Sequence, residues 1–111
     1  MTKIESKIKE IIKEDNVVLF MKGTPDFPQC GFSANAVAIL NYFGIEFVSH
    51  NVLENQELRE GIKIFSDWPT IPQIFLKEEF IGGFDILKEM AETGDLIKVL
   101  EEKKIEYKVT N

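Results

Sequence analysis

The chain has 111 residues, of which 44% are hydrophobic; this length suits one compact domain and leaves no room for a second. A formal net charge of −6 gives no general attraction to nucleic-acid phosphates, and no unbroken apolar run exceeds five residues, too short to cross a membrane. One cysteine cannot close an internal disulfide, which excludes the disulfide-rich secreted scaffolds and indicates a reducing compartment.

The first predicted element is an amphipathic helix that begins just after Thr2. Thr2 and Glu5 have the spacing of a capping box, and isoleucines at positions 4, 8, 11 and 12 then recur on one face. Because this segment also carries acidic residues and no continuous apolar core, it indicates neither a secretory signal nor a transit peptide. We expect a soluble protein of the cytoplasm, or of an organelle matrix if a leader has been removed.

Two strands and two helices are predicted to follow in alternation. Val17–Met21 is apolar and β-branched at its start, which is typical of a strand buried on both faces. Glycine and prolines in Lys22–Gln29 predict a loop, and the helix after this loop should end at Gly44 in a left-handed conformation. The buried face of that helix is marked by Ala36, Val37, Leu40 and Phe43. A second strand is indicated by Phe47, Val48 and Val52, and a third helix by Leu58, Ile62 and Phe65. This order predicts a parallel strand pair with a right-handed crossover.

An antiparallel hairpin is predicted next. Ile74–Leu76 and Phe80–Ile81 are strand-like runs separated by the three residues Lys77–Glu79, and Gly82 with Gly83 should end the second strand. Together with the parallel pair, these runs give an α/β fold: a four-stranded mixed sheet flanked by helices on both faces.

The C-terminal part predicts two short helices. Asp85 is expected to cap a helix that continues to about Thr93, and Asp95 to start another. The inner face of the last helix is expected to hold Leu96, Val99 and Leu100. The segment beyond Lys104 is expected to be frayed.

Cys30 lies between the proline-rich loop and the second helix. At a helix N-terminus, unpaired amides and the positive end of the helix dipole favour the thiolate, which is the form that attacks disulfides and binds metals. The alternative is a structural cysteine that packs like a small apolar residue. Cys30 and Ser33 also form the frame of a Cys-x-x-Cys redox motif in which serine replaces the second cysteine. An oxidised Cys30 must then pair with a sulfur of another molecule, whereas Ser33 can equally be an ordinary helix cap.

Two later motifs offer backbone and charge to a ligand. In Trp68–Gln73, a cis bond between Ile71 and Pro72 would turn the Ile71 backbone outward to pair with an extended peptide. In Gly82–Asp85, two glycines let another backbone approach and Asp85 offers a carboxylate to an ammonium group. The alternatives are an ordinary proline-rich loop, in which Trp68 only packs, and a tight turn with a helix cap.

Three cations complete the candidate site. Lys22 follows the first strand, and Arg59 and Lys63 share one face of the third helix. The planar guanidinium of Arg59 suits bidentate binding of a carboxylate, although a solvated helix face is the alternative. Around Cys30, these groups would be complementary to a small zwitterionic peptide thiol such as glutathione.

The motifs resemble those of the monothiol glutaredoxins with a Cys-Gly-Phe-Ser active site, in the same order and over about residues 3–103. The similar segments are Met21–Pro25, Pro28–Ser33, Trp68–Gln73 and Gly82-Gly83 with Asp85. The resemblance implies a thioredoxin-like fold and a glutathione site made by Lys22, Cys30, Arg59, Ile71, Phe84 and Asp85, with Ile71 and Phe84 acting mainly through their backbone. Phe84 occupies a position that is often cysteine in the family, so no second thiol is available to Cys30 within the chain.

The resemblance also implies binding of a [2Fe–2S] cluster, which commonly takes four thiolates. Two chains and two glutathiones would supply four, which predicts a cluster-dependent homodimer that passes its cluster to apo iron–sulfur proteins. Two alternatives remain open. One is a glutathione-dependent oxidoreductase that removes glutathione from mixed disulfides through Cys30. The other is an iron-sensing regulatory protein in complex with a BolA-like partner.

Overall fold

The computed structural model describes residues 2–109, and within them helices and strands alternate as the apolar pattern predicts. The elements are α1 Lys3–Lys13, β1 Val17–Met21, α2 Gly31–Tyr42, β2 Val48–Asn51, α3 Gln56–Ser66, β3 Gln73–Leu76, β4 Glu79–Gly82, α4 Phe84–Thr93 and α5 Asp95–Glu102. A turn of 3-10 helix, Val52–Glu54, joins β2 to α3. No helix in this part of the chain has the length and apolar character needed to span a bilayer.

The four strands form one mixed sheet in the order β2-β1-β3-β4. β1 pairs parallel with β2 and antiparallel with β3, and β4 pairs antiparallel with β3. The predicted fold class, with its parallel pair and its hairpin, is therefore confirmed. All five residues of β1 are buried, because β1 has strand neighbours on both sides and helices on both faces.

Side chains of β1 alternate between two cores, as the pleat of a strand requires. Val18 and Phe20 pack with the buried faces of α1 and α3. Val17, Leu19 and Met21 pack on the opposite face with apolar residues of α2, α4 and α5. Each of these buried side chains contributes roughly 1.5–3 kcal/mol relative to exposure, so the two cores together orient the sheet between its helices.

The ends of the first two helices form as the sequence predicts. The Thr2 side chain accepts a hydrogen bond of 3.1 Å from the Glu5 amide, which caps α1. Gly44 follows α2 with a φ of +60°. A Cβ atom at Gly44 would lie 2.5 Å from the Lys108 carbonyl oxygen, so this position needs glycine for space as well as for conformation.

The hairpin turn and the cap of α4 differ from the predictions. The turn has two residues, Lys77 and Glu78, both with positive φ, because Glu79 already pairs with Leu76. Asp85 does not cap α4. The cap is Gly83, and Asp85 lies in the first turn, where the helix dipole still favours a negative charge.

The end of β2 also differs, whereas α5 starts at Asp95 as predicted. Gly94 precedes α5 in a left-handed conformation, so Asp95 is the first residue of that helix. Val52 was expected in the second strand but begins the 3-10 turn, where it is buried. The difference at Val52 arises because the chain must change direction between packed elements, which apolar spacing alone does not encode.

The segment beyond Lys104 is ordered up to residue 109, so the prediction of a frayed tail is wrong there. Ile105 is buried, and its amide donates to the Leu100 carbonyl at 2.8 Å. The Lys108 amide donates to the Phe43 carbonyl at 2.7 Å. The segment covers apolar surface that α2 and α5 would otherwise expose. Residues 110 and 111 lie outside the described residues.

Candidate functional site

The candidate site lies at the edge of the sheet where β1 ends and β3 begins. Because these strands are antiparallel, Phe20 near the end of β1 pairs with Gln73 at the start of β3. β4 ends at the same edge, with Gly82 opposite Ile74. The segments that adjoin these strand ends are therefore neighbours, and they carry the three motifs that the sequence singled out.

Cys30 directly precedes the first turn of α2 and has an extended backbone, with φ −156° and ψ 135°. Its thiol is free and its side chain is partly exposed. Among residues 2–109, the Cys30 side chain makes no capping hydrogen bond to the amides of the first turn of α2. These amides therefore act on the sulfur mainly through their dipoles. The sulfur is thus positioned at a helix N-terminus, as predicted, and is accessible from solvent.

The pKa of the Cys30 thiol is lowered from its ordinary value. Burial is the largest single influence and acts in the opposite direction, since it penalises the charged form. The amides of Ser33 and Phe32, the Ser33 hydroxyl and the charge of Lys22 together outweigh burial and lower the pKa. More of the sulfur is therefore thiolate near neutral pH than in an unperturbed cysteine.

Ser33 connects the helix of Cys30 to the loop that precedes it. The side chain is fully buried, and its Oγ accepts a hydrogen bond of 3.1 Å from the Lys22 amide. The Gln29 amide closes the loop by donating to the Lys22 carbonyl at 2.9 Å. Ser33 is therefore not the helix cap; it fixes the loop and favours the thiolate of Cys30.

A groove of about 130 Å³ adjoins the first turn of α2. Its lining residues are Phe32, Trp68, Thr70, Ile71, Pro72, Gly83, Phe84 and Asp85. The Ile71–Pro72 peptide bond is cis, the isomer that the sequence made possible. A Cβ atom at position 83 would lie 3.2 Å from both the Pro72 oxygen and the Trp68 Nε1, so glycine keeps this side of the groove open.

A larger hollow lies at the opposite end of β1, between the turn after α1 and the hairpin turn. It is open and lined mainly by charged and polar side chains, and it contains none of the predicted site residues. The groove at the first turn of α2, which Phe32 lines and Cys30 does not, is smaller but combines apolar walls with a carboxylate, which is the usual character of a small-molecule site.

The cations are distributed around the site rather than gathered in the groove. Lys22 is partly buried, and its charge acts on the Cys30 sulfur. Arg59 does not line the groove, but its Nε is buried and has no hydrogen-bond partner among residues 2–109. Lys63 lines a separate hollow and lies 3.9 Å from Glu60. A buried guanidinium N–H without a partner is a group that a bound carboxylate would satisfy.

Two further residues contribute to the site beyond the sequence prediction. Trp68 was treated as a packing residue but lines the groove, with its Nε1 buried and unpaired among the described residues. Gln73 is fully buried, and its side-chain amide donates to the carbonyls of Trp68 and Thr70. A glutamine at the start of a buried apolar strand was the available sequence signal, because such a position usually takes an apolar residue.

This geometry defines a class of protein: a thioredoxin-like domain that presents one thiol at the start of its second helix, beside a small groove. Comparison with known proteins narrows the class. The Glutaredoxin family model matches residues 17–81. Monothiol glutaredoxin-5 from Lachancea kluyveri, a mitochondrial protein, is 52% identical over 104 residues, which cover 91% of this chain and 73% of the relative. Probable monothiol glutaredoxin 2 from Rickettsia typhi is 52% identical over 96 residues, 86% of each chain.

Solved structures agree with this assignment. The solution structure of a monomeric truncated mutant of Trypanosoma brucei 1-C-Grx1 matches with a TM-score of 0.86 and 40% identity, over 99% of this chain and 100% of the other. The buckwheat glutaredoxin–glutathione complex shares the fold at a TM-score of 0.81 and 18% identity, over 92% of this chain and 91% of the other. The chain belongs to the glutaredoxin family, among its monothiol members.

Proposed function

We propose that this protein binds a [2Fe–2S] cluster together with glutathione at the interface of a homodimer and passes the cluster to apo iron–sulfur proteins. The observation that carries the proposal is the setting of Cys30: a partly exposed thiol of lowered pKa, the single cysteine of its chain, next to a groove. A thiolate in such a setting is a competent ligand for iron.

Ligand counting supports a shared cluster. A [2Fe–2S] cluster is commonly held by four thiolates, and this sequence offers one. Two chains supply two thiolates, and one glutathione on each chain supplies the other two. The cluster is cargo in this arrangement, because half of its ligands are small molecules that are not covalently attached to the protein.

The residues around Cys30 fit glutathione by charge. Asp85 lies on the groove and offers a carboxylate to the ammonium group of the tripeptide. Lys22 and the unpaired Nε of Arg59 offer positive charge to its carboxylates. Ile71 and Phe84 line the groove, where their backbones can pair with the peptide. The buckwheat glutaredoxin of the same fold has been determined with glutathione, which supports this ligand class.

Anaerobic reconstitution tests the proposal. The protein is incubated with iron, sulfide and glutathione, and visible absorption and molecular mass are measured with and without glutathione. We expect a coloured dimer that forms with glutathione and transfers its cluster to an apo-ferredoxin. Cys30→Ser is the matched control and should stay colourless and monomeric. A colourless monomer from the unaltered protein would falsify the proposal.

A second candidate function is favoured by the lowered pKa of Cys30 and the partial exposure of its sulfur. In this reaction the Cys30 thiolate attacks the glutathione sulfur of a protein–glutathione disulfide, forming a Cys30–glutathione disulfide and releasing the protein thiolate. A second glutathione thiolate then displaces Cys30 and forms oxidised glutathione. Turnover of a glutathionylated peptide at the rate of free glutathione alone would remove this candidate.

We also propose a compartment for this protein, the matrix of an organelle. The mitochondrial relative from Lachancea kluyveri favours an organelle matrix over the cytoplasm. Fractionation of the source cells, with detection of this chain by antibody, tests this location. Recovery of the protein in the cytosolic fraction alone would contradict it.

A further inference from the structure

The wall of the groove is formed by an irregular segment, residues 68–72, that joins α3 to β3. Two of its five residues are prolines, which have no amide hydrogen to donate. Backbone hydrogen bonds therefore restrain this segment less than they restrain a helix or a strand. Four of its residues nevertheless line the groove: Trp68, Thr70, Ile71 and Pro72.

The side chain of Gln73 restrains this segment from behind. Gln73 is 0% exposed and does not line the groove. Its Nε2 donates to the Trp68 carbonyl at 3.0 Å and to the Thr70 carbonyl at 3.2 Å, so both amide hydrogens are used. These two bonds tie both ends of the Trp68–Thr70 stretch to the first residue of β3.

The contacts require an amide at position 73. Rotating the amide by 180° would place its oxygen against two carbonyl oxygens, so the orientation is set by the two acceptors. In this orientation the Oε1 is buried with no hydrogen-bond partner among residues 2–109. An unpaired buried acceptor lowers stability, and an apolar side chain of similar size would avoid that cost. The amide is thus better explained by the two bonds it donates than by stability.

The position of the wall matters because the groove is narrow. The opposite side is formed by Gly83, where an added Cβ atom would already lie 3.2 Å from the Pro72 oxygen and the Trp68 Nε1. A small displacement of the segment changes the space between Ile71 and Phe84, the two residues whose backbones are proposed to pair with the ligand.

We propose that Gln73 is a positioning residue for glutathione: its side-chain amide holds residues 68–72 in the shape that the groove requires, without touching the ligand. This inference rests on the proposed function, because it takes glutathione as the ligand of the groove. It predicts that replacing the amide changes affinity more than it changes stability.

The test is a nuclear magnetic resonance titration with S-methylglutathione, a thioether that cannot react with Cys30, on the full chain. We expect Gln73→Met to raise the Kd at least fivefold while the urea midpoint of unfolding changes little. Gln73→Glu keeps the shape, but a carboxyl group donates one of the two bonds when protonated and neither when ionised, so its Kd should also rise. Gln56→Met is the matched control on an exposed glutamine and should bind like the unaltered protein.

The possible outcomes separate the two proposals. If the unaltered protein does not bind S-methylglutathione, the proposed function fails and this inference fails with it. If it binds, but folded Gln73→Met and Gln73→Glu bind equally well, only the positioning role is overturned. A lower urea midpoint with an unchanged Kd of the folded protein would make Gln73 a purely structural residue. If Gln73→Met does not fold, the result for Gln73→Glu decides.

Discussion

Two regions of this molecule differ in whether their buried polar side-chain atoms have hydrogen-bond partners. The site edge comprises residues 22–33, residues 68–73, residues 83–85 and Arg59. The C-terminal layer comprises α5 and residues 103–109. Among residues 2–109, three buried side-chain polar atoms lack a partner, and they belong to Arg59, Trp68 and Gln73. The C-terminal layer contributes none of them.

The polar groups of the C-terminal layer find partners within the protein. The Ile105 amide donates to the Leu100 carbonyl, the Lys103 Nζ lies 2.9 Å from a Glu79 carboxylate oxygen, and the Tyr107 hydroxyl donates to Glu101 at 3.2 Å. An unpaired buried polar group costs about 1–3 kcal/mol, so a region selected only for stability avoids it. The difference indicates that the C-terminal layer serves stability, whereas Arg59 and Trp68 at the site edge retain buried N–H groups that a ligand can satisfy.

The largest expected effect at the site edge is that of Cys30→Ser. Cluster assembly and formation of a mixed disulfide with glutathione should be lost completely, because serine supplies no thiolate. Serine is a good helix cap, so stability should stay the same or rise by up to about 1 kcal/mol. Visible absorption after reconstitution and urea unfolding measure the two effects. Retention of a coloured dimer by Cys30→Ser would show that another group binds the cluster.

In the C-terminal layer, Leu100→Ala should lower the free energy of unfolding by about 2–5 kcal/mol, because Leu100 is fully buried and a cavity would remain. The Kd of the folded protein for S-methylglutathione should not change, since the layer does not line the groove. Urea unfolding and the titration check both results. A weaker affinity of the folded variant would erase the distinction between the two regions.

Arg59→Gln tests the unpaired guanidinium directly. A charge-assisted hydrogen bond contributes about 1.5–3 kcal/mol, so loss of the charge should weaken S-methylglutathione binding roughly tenfold or more. Lys63→Gln is the matched control, because Lys63 lies on the same helix but lines a separate hollow, and it should change the Kd less than about twofold. Equal effects of the two variants would mean that general positive charge, and not Arg59 itself, attracts the ligand.

The smallest effect is expected from Ser33→Ala. The Ser33 hydroxyl helps to lower the pKa of Cys30, so its removal should raise that pKa and leave less thiolate at neutral pH. Absorbance of the thiolate at ultraviolet wavelengths, followed against pH, measures the change. Ser66→Ala is the control, since Ser66 donates to the Ile62 carbonyl on α3 and does not influence the Cys30 pKa. An unaltered pKa in Ser33→Ala contradicts the role assigned to Ser33.

Much of the fold followed from local patterns. The capping box at Thr2, the apolar run of β1 and the left-handed Gly44 each depend on a few neighbouring residues, and all three form as predicted. The hairpin turn was predicted one residue too long because Lys77 and Glu78 carry none of the glycine or asparagine that usually indicates a two-residue turn. The tail was missed because Lys108 pairs with Phe43, 65 positions earlier in the chain.

Some features of the candidate site were likewise predictable from the local sequence, and others were not. The place of Cys30 at a helix N-terminus followed from the local sequence, whereas Pro72 only made a cis bond possible. The groove wall formed by Trp68 and the support from Gln73 did not, because both depend on how strand ends meet in space. Arg59 was expected beside the other ligand groups, but the structure leaves it outside the groove lining, with its Nε buried.

By itself, the sequence determined the order of elements, the alternation of β1 side chains between two cores and the placement of one thiol at a helix start. These features depend on spacing and on the conformational limits of individual residues. Only the tertiary structure decided which strand ends meet, how the C-terminal layer covers the core and which polar atoms remain unpaired at the site edge. Those features depend on contacts between residues far apart in the chain, and no local pattern specifies such contacts.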